Sequence, residues 1–484
     1  MLIISIYPWL LGACLGAYLG LAQRRGVAIS LVFMGTGGLL SLLGLGYLIS
    51  LTSKLGSPLF HWMNVWLLFF CIASSLTLIV KHLLRTPPDL SEAQITNLLQ
   101  ARTLVPLSLL IALLSWFLAC NILLPAQGWD TIDYWADKAL RVLTHGTAGE
   151  TVGFINEDRW GNIDRHPMTL NAILAWGAFT KSEGGLLFPS SASVLFSAVL
   201  LILGTARSVG RSWGEGLLAT YIFCSTPLVE NHLALSGYPI IFVAAIVLAS
   251  SCLITIGLAQ SNASYIFAGC LVSLTSIGLK NTGVVYGMLP IMGLFITRLL
   301  LRNRPFSVKV IMLLIPIIAL IILITVSIYS NFTPFVSYDF NTDTIWALGK
   351  QIVIISPSAG DLISVEVTSK IKNLSWSLSS TIIATISLST LFIWRQIKQE
   401  PAIIFLIAIQ VLGILILLLS LYSQHGFFHA TAGNDTAHSR FTLPIITLTP
   451  LLLILYSLFI EKLSRPQTRL AEQQGHIASL NLLK

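Results

Sequence analysis

Asp130 and Asp133 stand three residues apart in the segment Gly128-Trp129-Asp130-Thr131-Ile132-Asp133-Tyr134-Trp135. A single helical turn would put both carboxylates on one face. Neighbouring carboxylates split their pKa values, which suits one of them to take a proton from a reacting group. The spacing equally fits a helix start, with Asp130 as N-cap of a helix beginning at Thr131 and Asp133 at its third position. The two readings are compatible. Asp137 and Lys138 follow, and the segment closes with Asp164-Arg165-His166-Pro167-Met168, where Pro167 suits the first position of another helix. Only 10% of the chain is charged, so seven acids between Asp130 and Asp164 mark this segment as a place for chemistry.

Further ionisable groups recur next to apolar runs: Glu230-Asn231-His232, then Ser236-Gly237-Tyr238-Pro239, then Lys280-Asn281, then His438-Ser439-Arg440-Phe441. Lys280 and Arg440 at the headgroup level of a membrane are candidate phosphate ligands, because both donate charge-assisted hydrogen bonds to phosphate oxygens. The plainer alternative is that they snorkel to lipid headgroups.

The elements that must position these groups are apolar. The chain has 484 residues, 55% of them hydrophobic. Spanning ~30 Å of hydrocarbon takes ~20 helical residues, and about thirteen runs approach that length. They centre on 3–22, 27–51, 60–80, 103–123, 186–205, 216–230, 237–258, 263–279, 283–299, 310–330, 374–394, 401–422 and 441–460. Backbone exposed to lipid must satisfy its own hydrogen bonds, which favours helices, and the weak alternating segments of a barrel are missing. The expected fold class is an all-α polytopic membrane protein. Pro227 leaves the outer boundary of the 216–230 run open, and 167–180 is expected to lie at the interface as a helix without crossing.

Lys and Arg near span ends set orientation. An outer N-terminus puts Arg24-Arg25, Arg102, Arg207, Arg211, Arg298, Lys398 and Lys462 all inside, and the net charge of +8 then reports topology and not nucleic-acid binding. No Lys or Arg precedes Arg24, which argues against a cleavable leader with a basic start. The division expected is three N-terminal spans and a cytoplasmic connector (1–102) and a first core span (103–123). A large outer loop with the acidic motif and an interfacial helix follows (124–185), then the remaining core spans with an outer loop at 331–372 (186–460), then a cytoplasmic tail (461–484). Seven of the nine histidines fall outside under this topology. All six cysteines fall within spans, without metal spacing or a disulfide pattern on the outer face.

The order of these segments resembles the C-type glycosyltransferases (GT-C), integral membrane enzymes such as the protein mannosyltransferases and aminoarabinose transferases. The resemblance rests on GWDTIDYW, DRHPMTLNAILAWGAF, ALSGYPIIFVA, GLKNTG and SRFTLPIITLTP, taken in order over roughly residues 104–460. It implies a GT-C-like fold and transfer of a sugar from a polyprenyl-phosphate donor to an extracytoplasmic acceptor, with inversion. Asp130 would be the catalytic base and Asp133 the second candidate. Lys280, Arg440, Arg165 and His166 would bind the donor phosphate. Tyr134, Lys138, Glu230, His232, Tyr238, Asn281 and His438 would line the substrate site. No cofactor is required, although Asp130, Asp133 and Asp164 could hold a divalent cation such as Mg or Mn. The expected location is a bacterial inner membrane with the site facing the periplasm, in contact with the bilayer and not with nucleic acid. The rival functions are a polytopic transporter or flippase, and an O-antigen-type polymerase or ligase for lipid-linked glycans.

Overall fold

The computed structural model describes residues 2–22, 26–54, 101–123, 139, 169–180, 188–233, 239–279, 281–301, 336–339, 344–347, 350–353, 394–421 and 443–464. Helices dominate: α1 (Leu2–Ala22), α2 (Val27–Lys54), α3 (Ala101–Leu123), α4 (Thr169–Thr180), α5 (Phe188–Ser208), α6 (Trp213–Cys224), α7 (Pro227–Asn231), α8 (Pro239–Ala259), α9 (Ala263–Leu274), α10 (Asn281–Leu300), α11 (Trp394–Ile397), α12 (Pro401–Leu421) and α13 (Thr449–Ser464). Among the described residues, five helices are long and apolar enough to cross a membrane: Val27–Leu48, Arg102–Asn121, Ser190–Ser208, Ile240–Ala259 and Leu443–Leu463. The chain is built as an integral membrane protein. Ten of the expected spans fall on described residues, and those at 60–80, 310–330 and 374–394 lie outside them.

Contacts near the helix ends sort those ends into two levels. Gly204, near the end of α5, lies against Ala28 at the start of α2. Gly214, at the start of α6, lies against Arg102 at the start of α3. The Gln260 side chain, just past α8, donates to Ser208 O at 3.4 Å, and Lys462 of α13 reaches Glu400 before α12 at 2.6 Å. These residues define a basic end. At the opposite, loop end, Gly46 of α2 touches Thr169 and Ile173 of α4. Tyr47 donates to Thr275 O, and Asn121 at the end of α3 donates to Leu233 O at 2.7 Å. Helices that alternate in direction give this sorting, as the spacing of basic residues anticipates.

Helix α8 is the axis. Its apolar window is buried throughout, between α5, α9, α10 and α12. Small residues bring the helices close: Gly269 of α9 meets Ser250 and Ile254 of α8. At the α9–α10 contact, Ser276 donates to Gly283 O at 2.8 Å and Ser273 to Gly287 O at 2.5 Å. Hydroxyl-to-carbonyl bonds between closely approaching backbones are a recurrent means of joining helices without a hydrophobic driving force.

One expectation needs correction, and two gain detail. The 216–230 run is not one helix: α6 ends at Cys224 and α7 restarts at Pro227. Pro227 has no N–H to donate and disfavours helical backbone at Thr226, while the Thr226 hydroxyl bonds back to Ile222 O at 2.9 Å. Helix α4 is short, and 169–176 are all buried against α2, α5 and α1. The class is helical as expected, with one small addition. Within the expected outer loop 331–372, Val336–Asp339, Thr344–Ala347 and Lys350–Val353 form β1, β2 and β3 of an antiparallel sheet. Four-residue strands carrying Val336, Tyr338, Ile345 and Trp346 pair readily yet are too short to register in a span-length reading of hydropathy.

Candidate functional site

The loop end is where the chain brings together the flanks of the sequence motifs. Helix α3 delivers Asn121 there, two residues before the helix ends and the acidic segment begins. The Asn121 amide donates to Phe117 O at 2.9 Å in its own helix and to Leu233 O at 2.7 Å. That pair of bonds fixes the departure point of the acidic segment beside the Glu230–His232 turn. Ala139, the one described residue between Leu123 and Thr169, is helical and fully buried in the common core.

The Glu230–His232 turn follows from local sequence. Pro227 starts α7 at a position that needs no N–H, and the five-residue helix ends at Asn231 with His232 as its C-cap. His232 is 5% exposed, and its Nδ1 lies 2.8 Å from Leu228 O. A carbonyl oxygen only accepts, so Nδ1 carries the proton in this contact. Glu230 is half-buried. The two neighbours therefore differ: Glu230 keeps a face toward solvent, and His232 is turned in on its own helix.

A second junction joins α2, α4 and the α9–α10 turn. Gly46 contacts Thr169, the start of α4, three residues after His166 in sequence. The adjacent Tyr47 donates from Oη to Thr275 O at 3.4 Å and lies against Gly278. Thr275–Gly278 is a 3-10 turn, followed by buried Leu279 and then by Asn281 at the start of α10. Lys280 is bracketed by these two. A third junction packs Ile445, which follows Arg440 by five residues, against Gly413 of α12. Leu443 before it is buried.

Of the sequence-predicted residues, Glu230, His232 and Asn281 are described. Asp130, Asp133, Tyr134, Lys138, Asp164, Arg165, His166, Tyr238, Lys280, His438 and Arg440 lie outside the described residues, and only their flanks are located. Among the described residues no group of three His, Cys, Asp or Glu side chains converges.

Sequence reasoning missed a polar cluster at the basic end. Helix α5 closes with Gly210 at φ +96°, and Arg211 N donates to Ala206 O while Gly210 N donates to Arg207 O. That is a glycine-dependent C-cap. Ser212 then opens α6 through a capping box with Glu215. This turn aims Arg211 across the bundle, where it pairs with Glu215 and Glu461, each at 2.9 Å, and donates to Ser457 Oγ at 2.8 Å. Burial alone would raise the Glu215 pKa, but hydrogen bonds from Ser212 and the Arg211 charge outweigh it and hold the carboxyl below its ordinary value. The Ser-x-x-Glu pattern at 212–215 was the available signal.

Comparison with protein-family models, curated proteins and solved structures gives no match to this chain.

Proposed function

We propose that this chain is an inverting membrane glycosyltransferase of the GT-C type, moving a sugar from a polyprenyl-phosphate donor to an acceptor at the loop end of the bundle. The observation that carries the proposal is the sorting of helix ends. The flanks of four of the five motifs, at Asn121, Thr169, Glu230 and Asn281, belong to helix ends at the loop end. Lys280 is bound covalently to two located residues, and chain length alone holds Asp130 within about 25 Å of Leu123. That sorting supports a reading in which acids and cations from distant segments meet at one edge of the apolar slab.

The chemistry follows from the residue types. The acceptor hydroxyl attacks the anomeric carbon in line with the departing phosphate. A new carbon–oxygen bond forms as the bond to phosphate breaks, and the leaving phosphate takes the electron pair. Asp130 accepts the acceptor proton, a contribution of about 10²–10⁴-fold. Lys280 and Arg440 offset the charge that develops on phosphate, an effect strengthened where water is scarce. A lipid-anchored donor suits a site at the membrane edge, since it reaches that level by diffusing in the bilayer. If a divalent cation takes part, Asp130, Asp133 and Asp164 are the acids to hold it.

Transport is the rival function, and the positions of charge weigh against it. No Asp, Glu, Lys, Arg or His lies in the middle of α1, α2, α3, α5, α8, α9, α10, α12 or α13. Transporters concentrate such groups near the midplane. We further propose a bacterial inner membrane, with the loop end facing the periplasm and the basic end the cytoplasm.

The test is mass spectrometry of lipid that copurifies with the protein, followed by transfer assays using the lipid found. A polyprenyl-phosphate sugar that is consumed by the protein supports the assignment. Its absence, together with no transfer from synthetic polyprenyl-phosphate sugars, refutes it.

A further inference from the structure

At the basic end, α3, the α5–α6 turn and α13 enclose a cleft of about 750 Å³, within the size range of small-molecule sites. Five charged side chains line it: Arg102, Arg211, Lys462, Glu215 and Glu461. Three cations against two acids leave one positive charge in excess.

Four of the five are committed to partners. Arg211 bridges Glu215 and Glu461, each at 2.9 Å, and donates to Ser457 Oγ. Glu215 also accepts from the backbone N–H and the hydroxyl of Ser212, at 2.9 and 2.8 Å. Glu461 has a further partner, and Lys462 is held by Glu400 at 2.6 Å. Arg102 differs. It is exposed, and among the described residues it has no ion-pair partner. Its backbone lies in close contact with Gly214, so its guanidinium is presented from a fixed point at the edge of the cleft. The excess charge is therefore this one, and a guanidinium matches the oxygen spacing of a phosphate.

The remaining wall is apolar. Pro106, Leu218 and Leu458 line the cleft. Leu109 follows Arg102 and Pro106 on one face of α3 and is exposed, as is Leu218. Arg102 also opens the apolar span Arg102–Asn121, so this surface leads from the cation toward the slab. A complementary occupant carries one negative charge at the polar edge and hydrocarbon beneath it. A cationic headgroup has no counterpart here, because both acids already have their partners.

We propose that this cleft binds one anionic glycerophospholipid, with its phosphodiester on Arg102 and an acyl chain along Leu109 and Leu218. The site is separate from the proposed transfer site, which is at the opposite end of the helices.

The full chain, purified in detergent, is given equal amounts of phosphatidylglycerol, phosphatidylethanolamine and phosphatidylcholine, and bound lipid is read by native mass spectrometry. Phosphatidylglycerol is expected to be retained over both others, since it alone brings a phosphate without a cation. Arg102→Ala should reduce its retention about tenfold, the weight of one charge-assisted hydrogen bond, with the melting temperature unchanged. Lys398 is exposed at the same end but does not line the cleft. Lys398→Ala removes the same charge and should leave retention as it is. Equal retention of the three lipids by the parent protein, preference for either zwitterion, or undiminished binding by Arg102→Ala would each overturn the proposal. So would an equal loss in Lys398→Ala, which would assign the binding to the general charge of the basic end. The parent-protein comparison needs no variant to fold.

Discussion

The Tyr47 ring occupies the space that a side chain on residue 278 would need: a Cβ at Gly278 would overlap both its hydroxyl and its ring edge. Two helices far apart in sequence are locked through this contact, two residues before Lys280. Gly278→Ala should therefore cost about 1–3 kcal/mol through overpacking, read as a lowered melting temperature in detergent. Transfer should fall with it, since the Lys280 turn is displaced. Tyr47→Phe, which gives up only a 3.4 Å bond, should be close to neutral. A Gly278→Ala protein as stable as the parent would show that the two helices separate freely.

Arg211 and Glu461 tie the α5–α6 turn to α13. Arg211→Ala leaves Glu215 and Glu461 facing each other without their shared cation and should destabilise by about 1–3 kcal/mol. Glu461→Gln leaves Arg211 its second acid and should cost less. Melting curves of the two variants in the same detergent check the order, and the reverse order would assign the main role to Glu461.

Asp130→Asn should lower sugar transfer by about 10²–10⁴-fold while the protein remains folded and inserted. Asp133→Asn should lower it less. Turnover measured with a saturating donor distinguishes the two acids, and near-parent turnover in Asp130→Asn would remove Asp130 from the mechanism.

Arg440→Ala and Lys280→Ala should each weaken use of the donor more than use of the acceptor, because phosphate is on the donor alone. Initial rates with each substrate varied in turn separate the effects. A rise confined to the acceptor KM would contradict a phosphate role.

The Glu215 carboxyl has a depressed pKa in the folded protein. Its contribution to stability is present above the unfolded-state value, near the ordinary 4.5, and is lost as pH falls through the folded value. Partial exposure keeps the effect modest. Melting temperature measured from neutral to acid pH should therefore drop more steeply below that ordinary value in the parent than in Glu215→Gln, and parallel curves would dissociate Glu215 from the acid loss.

Much of the helix framework was legible in the sequence because crossing a bilayer demands long apolar runs, and those at 27–51, 103–123 and 237–258 coincide closely with α2, α3 and α8. Among the described residues, Arg102, Arg207 and Lys462 collect at one end of the bundle. The break after Cys224 was only half legible: Pro227 marks it, but hydropathy runs on regardless. Burial of α4 on all sides was not legible, because apolar composition looks alike whether lipid or protein covers it. The Arg211–Glu461 pair was hidden for a different reason, since it joins residues 250 apart and only the packed bundle brings them together. Among the candidate site residues, position at a helix end was readable for Glu230, His232 and Asn281. That His232 would fold back onto Leu228 was not, because the bond depends on the turn that Pro227 creates.

Helix α8 is sheathed by other helices along its whole apolar length. It has no direct stake in how thick the surrounding bilayer is. A thinner or thicker host membrane strains the outer helices, α3 above all with its exposed Leu104, Val105, Ile111 and Trp116, and those respond by tilting. Mismatch is thus absorbed at the rim while the axis keeps its length and register, so the protein should tolerate exchange between membranes better than its long, bare α3 would suggest.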